Sequence, residues 1–347
     1  MKTLMESRKK YGLSLLLFVA LSAMTYLFVM KQCDLSQLAQ LMISARPGYL
    51  LAAFVTMLLF FALEGEATRS LLAGQGCKMS FFTAWRYALV DFYFSSITPA
   101  SCGGQLSQIY YMRKQGIGVG ASSLALLLFN LSYHLAVLTV GSVVLLVGGQ
   151  GILASLGGFR YLLYLGLSAQ AFLLVLFFVA VFCHGLTAKL IRGLLRLPSI
   201  KDKQGFICKV NMQIEAYRQG AEQIRRQPLV LLKVFVLTVG HILALYSIPF
   251  LIYKALSLSG CDYLTLLAMQ ASLMLAVESL PIPGGIGISE KVFFVLYGGI
   301  FGSAFIIPAV LLCRGIATYT FVIIGAVAAL SPWPKNNPHV WLNQGTI

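Results

Sequence analysis

The sequence predicts an all-α polytopic membrane helix bundle: six full spans plus two re-entrant or broken segments arranged as inverted repeats, or else eight simple spans. Three observations predict it. Hydrophobic residues fill 59% of the 347 positions and charged residues only 11%, against about 25% charged in a soluble domain; mean hydropathy is +0.83. Apolar runs of about 20 residues, enough to cross a bilayer, recur along the chain with Lys and Arg collected between them. The third observation is Glu278 to Glu290, ESLPIPGGIGISE, set among apolar residues. Pro281 and Pro283 lack N–H donors, and Gly284, Gly285 and Gly287 form helix poorly. At membrane depth such backbone is tolerated only where it is buried in protein or lines a wet cavity.

The elements follow in order. The N-terminus MKTLMESRKK leads into an apolar run without a small-residue cleavage site, so 11–31 reads as an uncleaved first span. Further spans are 47–64, 120–148, 161–183, 228–253 and 305–331. Two weaker segments, 84–101 and 264–280, run into the pairs Gly103-Gly104 and Gly284-Gly285. Lys2, Arg8, Lys9 and Lys10 place the N-terminus in the cytoplasm. The connector 184–227 carries nine Lys or Arg against Asp202, Glu215 and Glu222, so it is expected there too. Counting spans from both ends makes 84–101 re-entrant and returns the C-terminus to the cytoplasm. The expected organisation is one integral domain, 1–335, with repeat 1 at about 47–148 and repeat 2 at about 228–331, then a short tail, 336–347. Within the connector, Ile207, Val210, Ile214, Tyr217, Ala221 and Ile224 recur at helical spacing, and a shorter stripe runs through 186–196. These read as helices on the leaflet or packed on the bundle, or else as a solvated connector.

Composition excludes several classes. The net charge is +15; without a recognition module it points to anionic headgroups and not to nucleic acid. The seven cysteines form no C-x-x-C pair and read as small buried hydrophobes. No H-E-x-x-H, G-x-S-x-G or Walker A sequence occurs, and the four histidines are scattered. No metal, cofactor or catalytic residue is expected.

The few ionisable residues within apolar segments are candidate functional groups. Glu64 and Glu66 close the second span, and Glu66 can pair with Arg69 at i, i+3. Asp91 lies in the first broken segment, Glu278 and Glu290 bracket the second, Arg113 follows the first glycine pair, and Arg314 sits deep in the last span. Glu278, Asp91 and Arg314 either serve a cavity or hold the repeats together as ion pairs. The glycine pairs either expose amides to an anion such as phosphate, aided by Arg113, or allow close helix packing. Gln105, Ser107 and Gln108 either add neutral donors suited to a headgroup or are simply the polarity of a loop.

TPASCGGQLSQIYYMRKQGI (98–117), LPIPGGIGISE (280–290) and the E-x-x-x-x-R spacing of Glu64 and Arg69 resemble the flippase-like integral membrane family. That family is also called the lysylphosphatidylglycerol synthase transmembrane region, or UPF0104, and the resemblance covers roughly 10–331. It is similar to the flippase region of the multiple peptide resistance factors. The resemblance implies movement of aminoacylated phosphatidylglycerol, or another polar or anionic lipid, between leaflets of the cell membrane. In those relatives a separate soluble domain transfers lysine from charged tRNA. The sequence carries no such domain before residue 347, so synthase activity is not expected. The expected translocation cavity gathers Glu64, Arg69, Asp91, Gly103, Gly104, Gln105, Gln108, Arg113, Glu278, Pro281, Pro283, Gly284, Gly285, Glu290 and Arg314. The expected partners are membrane phospholipids, with a separate synthase and a homodimer left open. The rival readings are a lipid-modifying enzyme of the phosphatidylglycerol lysyltransferase type and a membrane subunit of a separate synthase.

Overall fold

The computed structural model describes residues 40–98, 101, 103–156, 160–182, 204–278 and 287–333; among them the regular structure is entirely helical. α1 (Pro47–Gly74) opens on a proline, whose missing N–H costs nothing at a first turn. It extends ten residues past the expected end at 64, so Glu64, Glu66 and Arg69 lie inside the helix and not after it. α2 (Phe81–Ile97) starts at Ser80, whose hydroxyl accepts the Thr83 N–H at 3.2 Å. α3 (Gly103–Lys114) ends at Gly116, with φ of 87°. There the Ile117 N–H reaches the Met112 carbonyl and the Gly116 N–H that of Arg113, both at 3.0 Å. This is a left-handed cap that needs glycine.

α4 (Val119–Leu156) and α5 (Arg160–Phe182) are long and apolar. α6 (Gln204–Arg225) is the amphipathic connector helix. α7 (Pro228–Tyr246) and α8 (Ile248–Ala255) continue one another across Ser247. α9 (Tyr263–Val277) has Asp262 as its cap. α10 (Ile288–Arg314), a π-helical turn over Gly315–Tyr319 and α11 (Thr320–Leu330) follow.

α10 is not one straight rod. At Gly302 φ is 70° and ψ is 167°, a conformation outside any helix. Arg314 Nε nevertheless lies 2.7 Å from Glu290 Oε1, whereas 24 residues of straight helix would part their backbones by about 36 Å. The chain therefore reverses at Gly302. Residues 288–301 form a short arm of about 20 Å, and 303–330 form a span of about 40 Å. The expected span at 305–331 is this second part.

Among the described residues five stretches are long and apolar enough to cross a bilayer, the folded-back α10–α11 among them. The spans expected at 47–64, 120–148, 161–183 and 228–253 are α1, α4, α5 and α7 with α8; the one at 11–31 and the stripe at 186–196 lie outside the described residues. α2, α3 and α9 have 17, 12 and 15 residues, and each is shorter than the ~30 Å hydrocarbon core.

Small residues let these helices approach closely. A Cβ on Gly65 would stand 2.7 Å from the Trp85 backbone nitrogen, which sets α1 against α2. One on Gly325 would stand 2.5 Å from the Leu89 carbonyl, which sets α11 against α2. α6 packs on the bundle: Ala221 and Ile224 are buried with Leu71, Leu72 and Leu124. The Tyr217 hydroxyl donates to the Ala180 carbonyl at 2.8 Å, and the Gly120 N–H donates to Gln213 Oε1 at 2.8 Å. Arg86 on α2 donates to the Ala328 and Ser331 carbonyls at the end of α11 and stacks 4.1 Å over Trp333. A cation there meets the orphan carbonyls and the negative end of the helix dipole.

Candidate functional site

A cavity of about 410 Å³ opens among the helices. α1 contributes Phe60 and Glu64, α2 contributes Asp91 and Ser95, and α3 contributes Gln105. Asn130 and Tyr133 come from α4, His241 from α7 and Gln270 from α9. Glu278, Glu290 and Arg314 supply the remaining charged side chains, and Ala317 and Thr318 bring the π-helical turn to the wall. Irregular helix of this kind clusters at functional sites.

The carboxylates are held in different ways. Glu64 Oε1 accepts from Gln108 Nε2 at 3.3 Å. Asp91 is hydrogen-bonded by Ser95 and sits against the start of α3. Glu278 accepts from the Tyr133 hydroxyl on Oε1 and from Gln170 Nε2 on Oε2, the latter at 3.0 Å. Because the Gln170 amide nitrogen is turned to Glu278, its oxygen accepts from His134 Nδ1. The chain His134, Gln170, Glu278 and Tyr133 thus ties α4 and α5 to the end of α9. Glu290 is different. It pairs with Arg314, caps its own helix through the Gly287 N–H at 2.5 Å, and accepts the Ser289 hydroxyl at 3.1 Å.

Among the described residues Arg314 forms the only ion pair within this wall, and it pairs with Glu290, not with Glu278 or Asp91. Glu64, Asp91 and Glu278 have no cationic partner among the described residues. Among the described residues the cavity therefore carries more carboxylate than cation.

Not every expected residue is here. Arg69 turns away and pairs with Glu66 at 2.6 Å, where Lys233 of α7 also lands at 2.6 Å. Arg113 is exposed at the far end of α3, about 15 Å from Gly103, so the two do not make one anion site. Gly103 gives its N–H to Thr98 Oγ1 at 2.9 Å. A Cβ on Gly104 would stand 2.6 Å from Asp91 Oδ1. These glycines let α3 pack closely on α2, with the Asp91 carboxylate against Gly104. Gln108 supports Glu64 from behind the wall. Pro281, Pro283, Gly284 and Gly285 lie outside the described residues. Sequence reasoning missed Asn130, Tyr133, His134, Gln170, His241 and Gln270. Their signal was a polar side chain inside an apolar helix, which scattered spacing hid.

Residues 13–325 match the family described as the lysylphosphatidylglycerol synthase TM region. The chain belongs to that family. The chain is also similar to a UPF0104 membrane protein of Archaeoglobus fulgidus, 24% identical over 286 residues, which span 80% of this chain and 85% of the relative. As a family member it is a multi-pass membrane protein, and its acid-lined cavity lies among its helices.

Proposed function

We propose that this protein moves a lipid headgroup between the leaflets of the cell membrane. The carrying observation is the cavity. Its volume falls within the usual range for a small-molecule site, and it combines polar groups with apolar walls such as Phe60, Phe92 and Phe293. A headgroup enclosed there exchanges water for fixed protein dipoles, while its acyl chains stay in lipid. The surplus of carboxylates suits a headgroup that carries a positive amine, as in aminoacylated phosphatidylglycerol.

The pairing of elements supports two repeats of one plan: long helix, two short arms, long helix. α1, α2, α3 and α4 form one; α7 with α8, α9, 288–301 and 303–330 form the other. The packing is reciprocal. α2 rests on α11 of the second repeat, and α9 rests on α4 of the first. Two short arms meeting around a shared cavity give a plan in which one repeat rocks against the other.

The test uses proteoliposomes with lysylated phosphatidylglycerol in the inner leaflet and an impermeant amine-reactive probe outside. The protein is expected to expose the lipid, Glu278→Gln to slow exposure about ten-fold, and Arg113→Ala to leave it unchanged. A parent rate equal to that of protein-free vesicles overturns the function, and an unchanged rate in Glu278→Gln overturns the role of the cavity acids.

A further inference from the structure

Glu64 and Asp91 come from adjacent helices, and each is the other's charged neighbour. Glu64 is 5% exposed and Gln108, beside it, 2%. The Gln108 amide nitrogen donates to Glu64 Oε1 and to the Tyr87 carbonyl, both at 3.3 Å. That settles the amide orientation, because the flipped group would set an oxygen against two acceptors. Gln108 Oε1 is then buried with no donor. It shares a carbon with the nitrogen that donates to Glu64. Asp91 packs against Gly104, one helical turn before Gln108 on α3, so oxygen-bearing groups from α1, α2 and α3 occupy one region, and no side-chain cation meets them among the described residues.

We propose that Glu64, Asp91 and Gln108 hold an alkali-metal cation. One such ion answers both the repulsion between two carboxylates in a low dielectric and the orphaned amide oxygen. Carboxylate and amide oxygens are hard donors, suited to alkali and alkaline-earth ions and not to thiolate-seeking metals. A single charge is favoured over two because α3 begins beside Asp91, and a helix N-terminus supplies roughly half a positive charge. Glu64 and Asp91 both line the cavity, so the ion has a route in, and the site does not depend on what the cavity carries.

The test measures ²²Na⁺ binding to the purified full-length protein in detergent. Thermal unfolding is followed alongside, in sodium chloride and in choline chloride at equal ionic strength. Saturable sodium binding and a higher melting temperature in sodium are expected. Glu64→Gln should abolish both. Gln108→Leu, which keeps the volume and removes the oxygen, should weaken binding at least about ten-fold. Glu66→Gln, outside the cavity, should bind as the parent does. If Glu64→Gln does not fold, Gln108→Leu carries the test. Equal stability in sodium and choline, as expected if the acids share a proton instead, overturns the proposal. So does parent-like sodium binding by Gln108→Leu, or a response to Mg²⁺ or Ca²⁺ alone.

Discussion

Arg314 Nε lies 2.7 Å from Glu290 Oε1, although the two residues open and close α10. Their contact shows that the chain doubles back at Gly302. A short arm, 288–301, is thereby fastened to the membrane span that follows it. The same pair sets one end of the cavity, since both residues line it.

The reversal depends on glycine. φ of 70° with ψ of 167° is a region that residues with a Cβ essentially do not enter. Nothing stands within 4 Å of a Cβ built there, so the cost of substitution is backbone strain alone. Gly302→Ala should lower stability by about 1–3 kcal/mol, read as a lower melting temperature in detergent with the helical signal retained.

The ion pair should behave as a buried one. The Glu290 side chain is 6% exposed and that of Arg314 21%. Arg314→Met alone leaves a buried carboxylate uncompensated and should cost about 3 kcal/mol. Arg314→Met with Glu290→Gln should recover most of that loss. A double-mutant cycle on chemical unfolding checks it; additive losses would show that the two side chains are not coupled.

Glu66 provides the contrast. Arg69 and Lys233 both reach it at 2.6 Å, but their side chains are 40% and 52% exposed. Lys233→Met should cost under about 1 kcal/mol. The effect should shrink as salt rises, which melting curves at low and high ionic strength would show.

Asp262 gives a pH dependence outside the spans. Its carboxylate accepts the Thr265 hydroxyl at 2.6 Å and the Thr265 N–H at 3.1 Å. The Thr265 side-chain bond, then the backbone bond, hold it below the usual carboxylate range. A depressed folded value means a contribution present above the unfolded value, near 3.8, and lost as pH falls through the folded one. Asp262→Ala should melt lower than the parent at about pH 6, and the gap should close towards about pH 3. A gap independent of pH would mean that the charge does not matter at this cap.

Much of the fold was legible because lipid imposes a simple code. Backbone groups must be satisfied within the segment, so apolar runs at 47–64, 120–148, 161–183 and 228–253 could only be helices. The weak segments 84–101 and 264–280 were legible as interrupted because proline and glycine follow them. The amphipathic face of 207–224 showed as periodicity, while its seat on the bundle needed Leu71, Leu72 and Leu124 as neighbours. Of the candidate site, Glu64, Asp91, Gln105, Glu278, Glu290 and Arg314 line the cavity. They were legible because charged or strongly polar residues are rare at such depth. Arg69 and Arg113 looked equivalent in sequence, yet they point elsewhere, since helical spacing alone does not say which face meets a cavity.

The sequence by itself determined the solvent this chain lives in, its helical character, the positions of its breaks and the family to which it belongs. Those are properties of composition and local pattern. Only the tertiary structure decided which acid meets which base, that Gly104 makes room for Asp91, and that Gln108 leaves an oxygen unpaired beside Glu64. Those are distances between residues far apart in the chain. They are set by how closely small side chains let helices pack, and by the turn at Gly302.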